Sequence, residues 1–432
     1  MAEMAETNAP IDQVIRKYDD PITQVEVLYG YPAPTQIATY STKLPTDAEG
    51  PKETVQIDDA SEIAQKYSKT ESYNRVLCKS PTANLRFFYE PSGWETFDLE
   101  KGYDSLRQRD SKNEYLGLLL ECLDREGLVG KSDFVAKRGC FVDIAGTPLR
   151  VERKKRKVDS AGTELQVKSK KWDYGVKILV QKLDNVYYLF RFDFKNPHDK
   201  NSNQHVYHQS DQRNFVPDGY GRRRFDQAHK HVQNDYGRRF DQAHKKVPDD
   251  YTGRKYETYV TVKKGESKPD SDTPMDYNFE LNSVVYSKLG EHSVILAGEV
   301  DCCLREDTSH YVQIKKEGKT YKQKYLKWWL QSFLIGCKEI QQYGKKRFPV
   351  TQLPSEISDL EKKEDKEEDE KWNLKECIDY LEKFLSLVKK EVEEELVPHV
   401  FVRPPDELEF SVEKYYDGQF KFLPLWFTAK RA

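Results

Sequence analysis

Four side chains in the second half of the chain have types and spacing suited to gripping a cation against a phosphate. Glu299 and Asp301 stand two apart in VILAGEVDCCL, residues 294–304, and Gln313 and Lys315 stand two apart in HYVQIKK, residues 310–316. Both stretches are rich in β-branched and apolar residues and read as strands. Residues i and i+2 of a strand share a face, so each pair projects together. The residues REDTS, 305–309, join the stretches and make an antiparallel hairpin the natural connection. Folding symmetrically about Asp307 sets Asp301 opposite Gln313 and Glu299 opposite Lys315. Two carboxylates, an amide and an ammonium then gather on one patch. Burying two carboxylates together is costly unless something positive lies between them. Mg2+ or Mn2+, which prefer hard oxygen ligands, meet that need. Such ions activate water and stabilise the charge that develops in phosphoryl hydrolysis. An exposed hairpin laced by Glu–Lys pairs fits the same residues, and the hairpin alone leaves both readings open.

The elements that must position this patch are legible in outline. Tyr321 to Cys337, YKQKYLKWWLQSFLIGC, reads as a helix after the hairpin, with Gln331 one turn from Trp328 and facing the cleft. Upstream, Gly253-Arg254-Lys255-Tyr256-Glu257 enters a strand or helix and offers Glu257 as a third carboxylate. Residues 113–126 carry Leu116, Leu119, Leu120 and Leu123 at helical spacing, ended by Gly127. Strands are expected at 25–29, 35–40, 134–144 and 149–152. A hairpin spans 174–194 and turns at Asp184-Asn185. An amphipathic helix runs from Trp372 to Leu396, with Leu374, Ile378, Leu381, Leu385, Val388 and Val392 on its apolar face.

The chain has 432 residues, 37% apolar and 12% aromatic, enough for a sizeable core between polar segments. A net charge of -3 gives no global attraction to nucleic acid, so any such site is a local patch. Seven cysteines without framework spacing suit reduced thiols in an intracellular protein. The first residues lack the apolar stretch of a signal peptide, and no apolar run approaches the ~20 residues of a membrane span. Residues 1–22 are expected to be a disordered lead-in and residues 23–430 a single domain. A near-identical tandem repeat, YGRRRFDQAHKHVQND then YGRRFDQAHKKVPDD, marks a basic insertion at 218–250. It reads first as a tolerated surface insertion, second as an added RNA-binding face. A charged linker occupies 355–371. The basic run RKKRK, 153–157, is a solvated loop, a nuclear localisation signal or a phosphate contact.

The spacing of Asp301, eleven residues, then Gln313-x-Lys315 is that of the PD-(D/E)xK nucleases. Further separated stretches tighten the likeness: Arg138 in FVAKRG, Gly253 to Glu257, NSVVYSKLGEHSVILAGEVDCCL, YVQIK and KYLKWWLQSFL, all in order. On these the chain resembles the DXO-like decapping and exoribonuclease family, over roughly residues 30–400. The resemblance implies an α+β fold: two packed mixed β-sheets flanked by helices, with a PD-(D/E)xK-nuclease-like core. It implies hydrolysis of RNA 5′ ends, removing incomplete, triphosphate or NAD caps, with 5′-3′ exoribonuclease activity in many members. Two ions, Mg2+ or Mn2+, would be held by Glu257, Glu299, Asp301, position 313 and the Ile314 carbonyl. Lys315 would position the attacking water, which makes Glu299, Asp301 and Lys315 the catalytic set. Arg138 and Gln331 would hold RNA phosphates, flanked by Lys137 and Gly139, while Glu114 and Asn282 would contact the nucleotide. RNA 5′ ends are the implied partner, with a 5′-3′ exoribonuclease in some fungal members. Neither DNA specificity nor a membrane is expected, and the expected location is the nucleus, the cytoplasm or both.

Two positions depart from the family pattern. Gln313 stands where a metal-ligand glutamate belongs, and a neutral amide brings no negative charge and cannot bind bidentately. Lys137 stands where a tryptophan is usual. The alternative to an active hydrolase is therefore a weak or inactive homologue that binds RNA ends or a protein partner.

Overall fold

The computed structural model describes residues 27–28, 31–32, 34–44, 75–90, 97–107, 115–148, 175–191, 247–316, 322–342, 347–349, 374–405, 407–416 and 420–431. The expectations for residues 1–22, for RKKRK, for strand 149–152, for the linker and for nearly all of the tandem repeat fall outside them, as does Glu114.

In chain order the elements begin with β1 (Val27–Leu28), β2 (Tyr31–Pro32), β3 (Thr35–Lys43), β4 (Val76–Leu77), β5 (Arg86–Phe88), α1 (Gly117–Arg125), β6 (Phe134–Lys137) and α2 (Arg138–Ala145). Next come β7 (Val176–Leu183), β8 (Val186–Arg191), α3 (Asp249–Tyr259), β9 (Thr261–Lys263), β10 (Leu281–Leu289), β11 (His292–Glu299), β12 (Cys302–Cys303) and β13 (Tyr311–Lys315). The chain continues with α4 (Lys322–Phe333), β14 (Glu339–Gln342), β15 (Arg347–Pro349), α5 (Leu374–Glu391), β16 (His399–Arg403), β17 (Ser411–Lys414) and α6 (Leu425–Ala429).

A nine-stranded mixed sheet runs β17-β16-β7-β8-β6-β11-β10-β3-β4, and a six-stranded one runs β15-β14-β13-β12-β5-β9. The centre of the larger sheet is buried on both faces, so alternate residues of one strand serve different cores. Val294 and Leu296 join Phe141, Trp329, Leu381 and Leu385 beneath α2, α4 and α5. Ile295 and Ala297 join Leu119, Leu123 and Phe427 beneath α1 and α6. The β7–β8 hairpin turns at Asp184 and Asn185, both with positive φ, 52° and 62°. Two such residues match the right-handed strand twist.

Two sequence expectations are corrected. The stretch 134–144 is not one strand: β6 ends at Lys137 and α2 starts at Arg138. Phe141, Ile144 and Ala145 then fall on one helical face, against the sheet. The stretch 294–304 is not one strand either. Its first part, β11, pairs with β10 and β6 in the larger sheet. Its last part, β12, pairs with β13 and β5 in the smaller one. The chain changes sheets between Glu299 and Cys302, and the catalytic candidates sit at that fork.

Candidate active site

The hairpin register agrees with the reading from sequence at Asp301 and Gln313 but not at Glu299, which pairs with Asn282 in the larger sheet while Lys315 pairs with Gln342. Cys302 pairs with Val312 and Cys303 with Tyr311, a ladder symmetric about Asp307. Continued one residue it faces Asp301 with Gln313. The Asp301 carboxylate accepts the Ile314 backbone N–H at 2.6 Å. Gln313 is fully buried and spans the fork: its Nε2 donates to the Glu299 carbonyl at 3.3 Å, and its Oε1 accepts from Lys315 Nζ at 2.9 Å.

Glu257 arrives from the other side on α3, entered from Pro248 in extended conformation. Arg254 lies three residues earlier on the same helical face. Its guanidinium grips Glu299 bidentately, Nη1 to Oε1 and Nη2 to Oε2, both at 2.8 Å. It also stacks on the Tyr277 ring at 4.7 Å and reaches to 3.8 Å from Glu280. Glu280, just before β10, is itself paired with buried Arg75 at 2.8 Å.

Arg138 is buried under the fork, where its Nη1 donates to the carbonyls of Glu299 and Gln331 at 3.0 and 3.1 Å. It thereby ties β11 to α4. Gly298 permits this packing: a Cβ there would lie 2.8 Å from Ile335 and 3.0 Å from Arg138 Cβ. Asn282 pairs with Glu299 across β10 and β11. Lys137 ends β6 and Gly139 opens α2 beside Arg138.

The electrostatics divide the site. Burial, then the charge of Asp301, pushes the Glu257 carboxyl up to about 8. Burial also raises the Glu299 carboxyl, against the opposing pull of Arg254. Burial works against the Arg254 charge too, but Glu299, Glu257 and Glu280 outweigh it and hold it well above its ordinary value. Burial lowers Lys315, with Asp301 opposing, and lowers Arg138.

Among the described residues, no three acidic, histidine or cysteine side chains converge to cage an ion by themselves. The donors nonetheless fit a hard cation on one side. Glu257 and Asp301 lie within reach of each other's charge, Glu257 makes no side-chain hydrogen bond or ion pair among the described residues, and Asp301 spends one oxygen on a backbone amide. Glu299 does not fit as placed, because Arg254 takes both its oxygens. Ile314 meets Asp301 through its backbone amide, which leaves its carbonyl, the expected metal ligand, a separate group. Arg138 is engaged with backbone carbonyls rather than standing open in the cleft. The sequence reading missed Arg254 as a partner of Glu299, although it lies inside the Gly253–Glu257 stretch. It also missed Glu280 and Arg75, which carry no local signal.

Carboxylates and a lysine at a fork between two mixed sheets define a PD-(D/E)XK nuclease-like centre. Residues 223–428 match the family model of the RAI1-like PD-(D/E)XK nucleases, a little under half of the chain. The decapping and exoribonuclease proteins of Homo sapiens and Rattus norvegicus are each 27% identical over 201 residues. Those matches cover 41% of this chain and 48% of each relative, so the match spans about half the length of the curated relatives. Among solved structures, Candida albicans Rai1 in complex with pU5-Mn2+ has a TM-score of 0.58 at 16% identity, covering 93% of this chain and 95% of that one. Scheffersomyces stipitis Rai1 in complex with (3′-NADP)+ and calcium ion has a TM-score of 0.59 at 13% identity, covering 92% and 95%. The DXO-like resemblance and the α+β fold with two mixed sheets are borne out.

Proposed function

We propose that the chain is a divalent-metal-dependent hydrolase of RNA 5′ ends, acting on incomplete, triphosphate or NAD caps or on 5′-monophosphate RNA. One observation carries this reading: Glu257, Asp301 and Lys315 lie within reach of one another's charge, and among the described residues Glu257 has no side-chain hydrogen bond or ion pair. Such a pair is expensive to leave ionised and is satisfied by a hard cation. The names of the matched relatives, the decapping and exoribonuclease proteins, support the RNA end as substrate.

Glu257 and Asp301 would hold the ion, which when bound supplies an activated water and charge for the phosphate oxygens. The Ile314 amide fixes the Asp301 carboxylate in place. Lys315, held by Gln313, is poised to orient the attacking water, and burial makes it readier to give up its proton. Arg138 positions Glu299 and Gln331 through their carbonyls. Gln331, half-buried on α4 and joined to Arg138 through its carbonyl, would meet the RNA. The buried cysteines, none in a disulfide, support an intracellular location.

The test is incubation of purified protein with capped, triphosphate and 5′-monophosphate RNA in Mn2+ or Mg2+. Release of the cap or shortening of the RNA, abolished in Asp301→Ala, is the expected result. RNA binding without turnover under every condition would instead favour the inactive homologue, the reading that Gln313 keeps open.

A further inference from the structure

The resemblance implies two ions, but the arginines and the lysine around the fork already neutralise much of its charge. Four carboxylates lie around the fork: Glu257, Glu280, Glu299 and Asp301. Glu280 is paired with Arg75 at 2.8 Å, and Glu299 is closed by the two-pronged contact of Arg254. Lys315 lies within ion-pair distance of no described carboxylate and spends its hydrogen bond on Gln313. Two carboxylates, Glu257 and Asp301, are left with only the charge of Lys315 acting on both. One divalent ion already more than meets the charge that remains, whereas a second would bring two further positive charges with no carboxylate left to balance them.

An ion seeking Glu299 as a ligand would also have to displace a guanidinium. Arg254 is held by two parallel charge-assisted hydrogen bonds, by stacking on Tyr277 at 4.7 Å and by the nearby Glu280. The planar fork of arginine matches a carboxylate in a way no other side chain does. In a half-buried setting those bonds are among the strongest the chain can make.

We infer that Arg254 serves as a built-in cation in place of a second metal ion, so that the cleft holds a single divalent ion on Glu257 and Asp301. The inference rests on the metal-dependent reading above and is separable from it. Titration of the full chain with Mn2+, following free Mn2+ by electron paramagnetic resonance, counts the ions directly and needs no RNA. One ion is expected for the natural chain and for Arg254→Lys, which keeps the charge, two for Arg254→Met, and none for Asp301→Asn. Two ions in the natural chain would overturn the role of Arg254 and leave the hydrolase reading standing. None would overturn both. A count of one in Arg254→Met would also overturn the inference. Should Arg254→Met not fold, Glu299→Gln decides. Its Mn2+ affinity is expected to stay near that of the natural chain, and a fall of about tenfold or more, the size typical for a disturbed metal site, would make Glu299 a ligand and overturn the inference.

Discussion

The two sides of the fork are built from the same residue types and treated in opposite ways. On one side Glu280 meets Arg75 and Glu299 meets Arg254, with every carboxylate oxygen of Glu299 spoken for. On the other, Glu257 and Asp301 lie within reach of each other's charge, with Lys315 turned to Gln313. A buried ion pair holds elements together and loses heavily when one partner goes. A buried carboxylate pair without a cation is a strain that a ligand relieves. The first side should therefore carry stability and the second function, and the two should respond to mutation with opposite signs.

The largest effect is expected on the closed side. Arg75 and Glu280 have side chains only 2% and 4% exposed. Arg75→Met should strand the Glu280 charge and cost about 3–5 kcal/mol of stability, read by urea denaturation. A loss under 1 kcal/mol would mean that the pair is not structural. Next comes the open side. Asp301→Asn keeps an oxygen for the Ile314 amide but removes the charge. It should weaken Mn2+ binding by about 100-fold or more while leaving the metal-free chain as stable as before or more so. Loss of stability together with binding would erase the distinction between the sides.

How far this division could be read from sequence depends on the range of the contacts. The 301/313 register was legible because a short turn links two strands whose alternation allows one pairing without flipping their faces. The transfer of the chain from one sheet to the other at Val300 was not, because both flanks are equally strand-like and only their distant partners, β10 and β5, separate them. Residues 138–145 read as strand because Cys, Phe, Val and Ile suit either element; packing against β6 and β11 made them a helix. The open side was found because its residues lie in recognisable short patterns. The closed side was missed because it joins Arg75 to Glu280, 205 positions apart, and a helix to a strand, pairings that no periodicity announces.

A smaller effect distinguishes the sides by pH. The unfolded chain releases the Glu257 proton near its ordinary value of 4.5, whereas the folded, metal-free chain keeps it to about 8. Between those values folding takes up a proton, so the contribution is full below about 4.5 and is lost progressively as pH rises toward 8. Thermal unfolding of metal-free protein from pH 5 to 8 should show that decline. Glu257→Gln should flatten it, and Mn2+ should restore stability at the upper end. A decline that persists unchanged in Glu257→Gln would assign it to another group.

The smallest effect tests which side owns position 313. The Gln313 amide straddles the divide, accepting from Lys315 at 2.9 Å on the open side and donating to the Glu299 carbonyl at 3.3 Å on the closed side. Gln313→Glu keeps the acceptor, makes the Lys315 contact charge-assisted and gives up the long, weak donor contact. The added charge joins Glu257 and Asp301, so Mn2+ should bind roughly tenfold more tightly, about 1.4 kcal/mol. The metal-free chain should lose stability at neutral pH, because a third carboxylate joins the pair. Both changes together put position 313 with the open side. Lost stability without tighter Mn2+ binding would put it with the closed side, as a brace beneath Glu299 that holds the fork in shape.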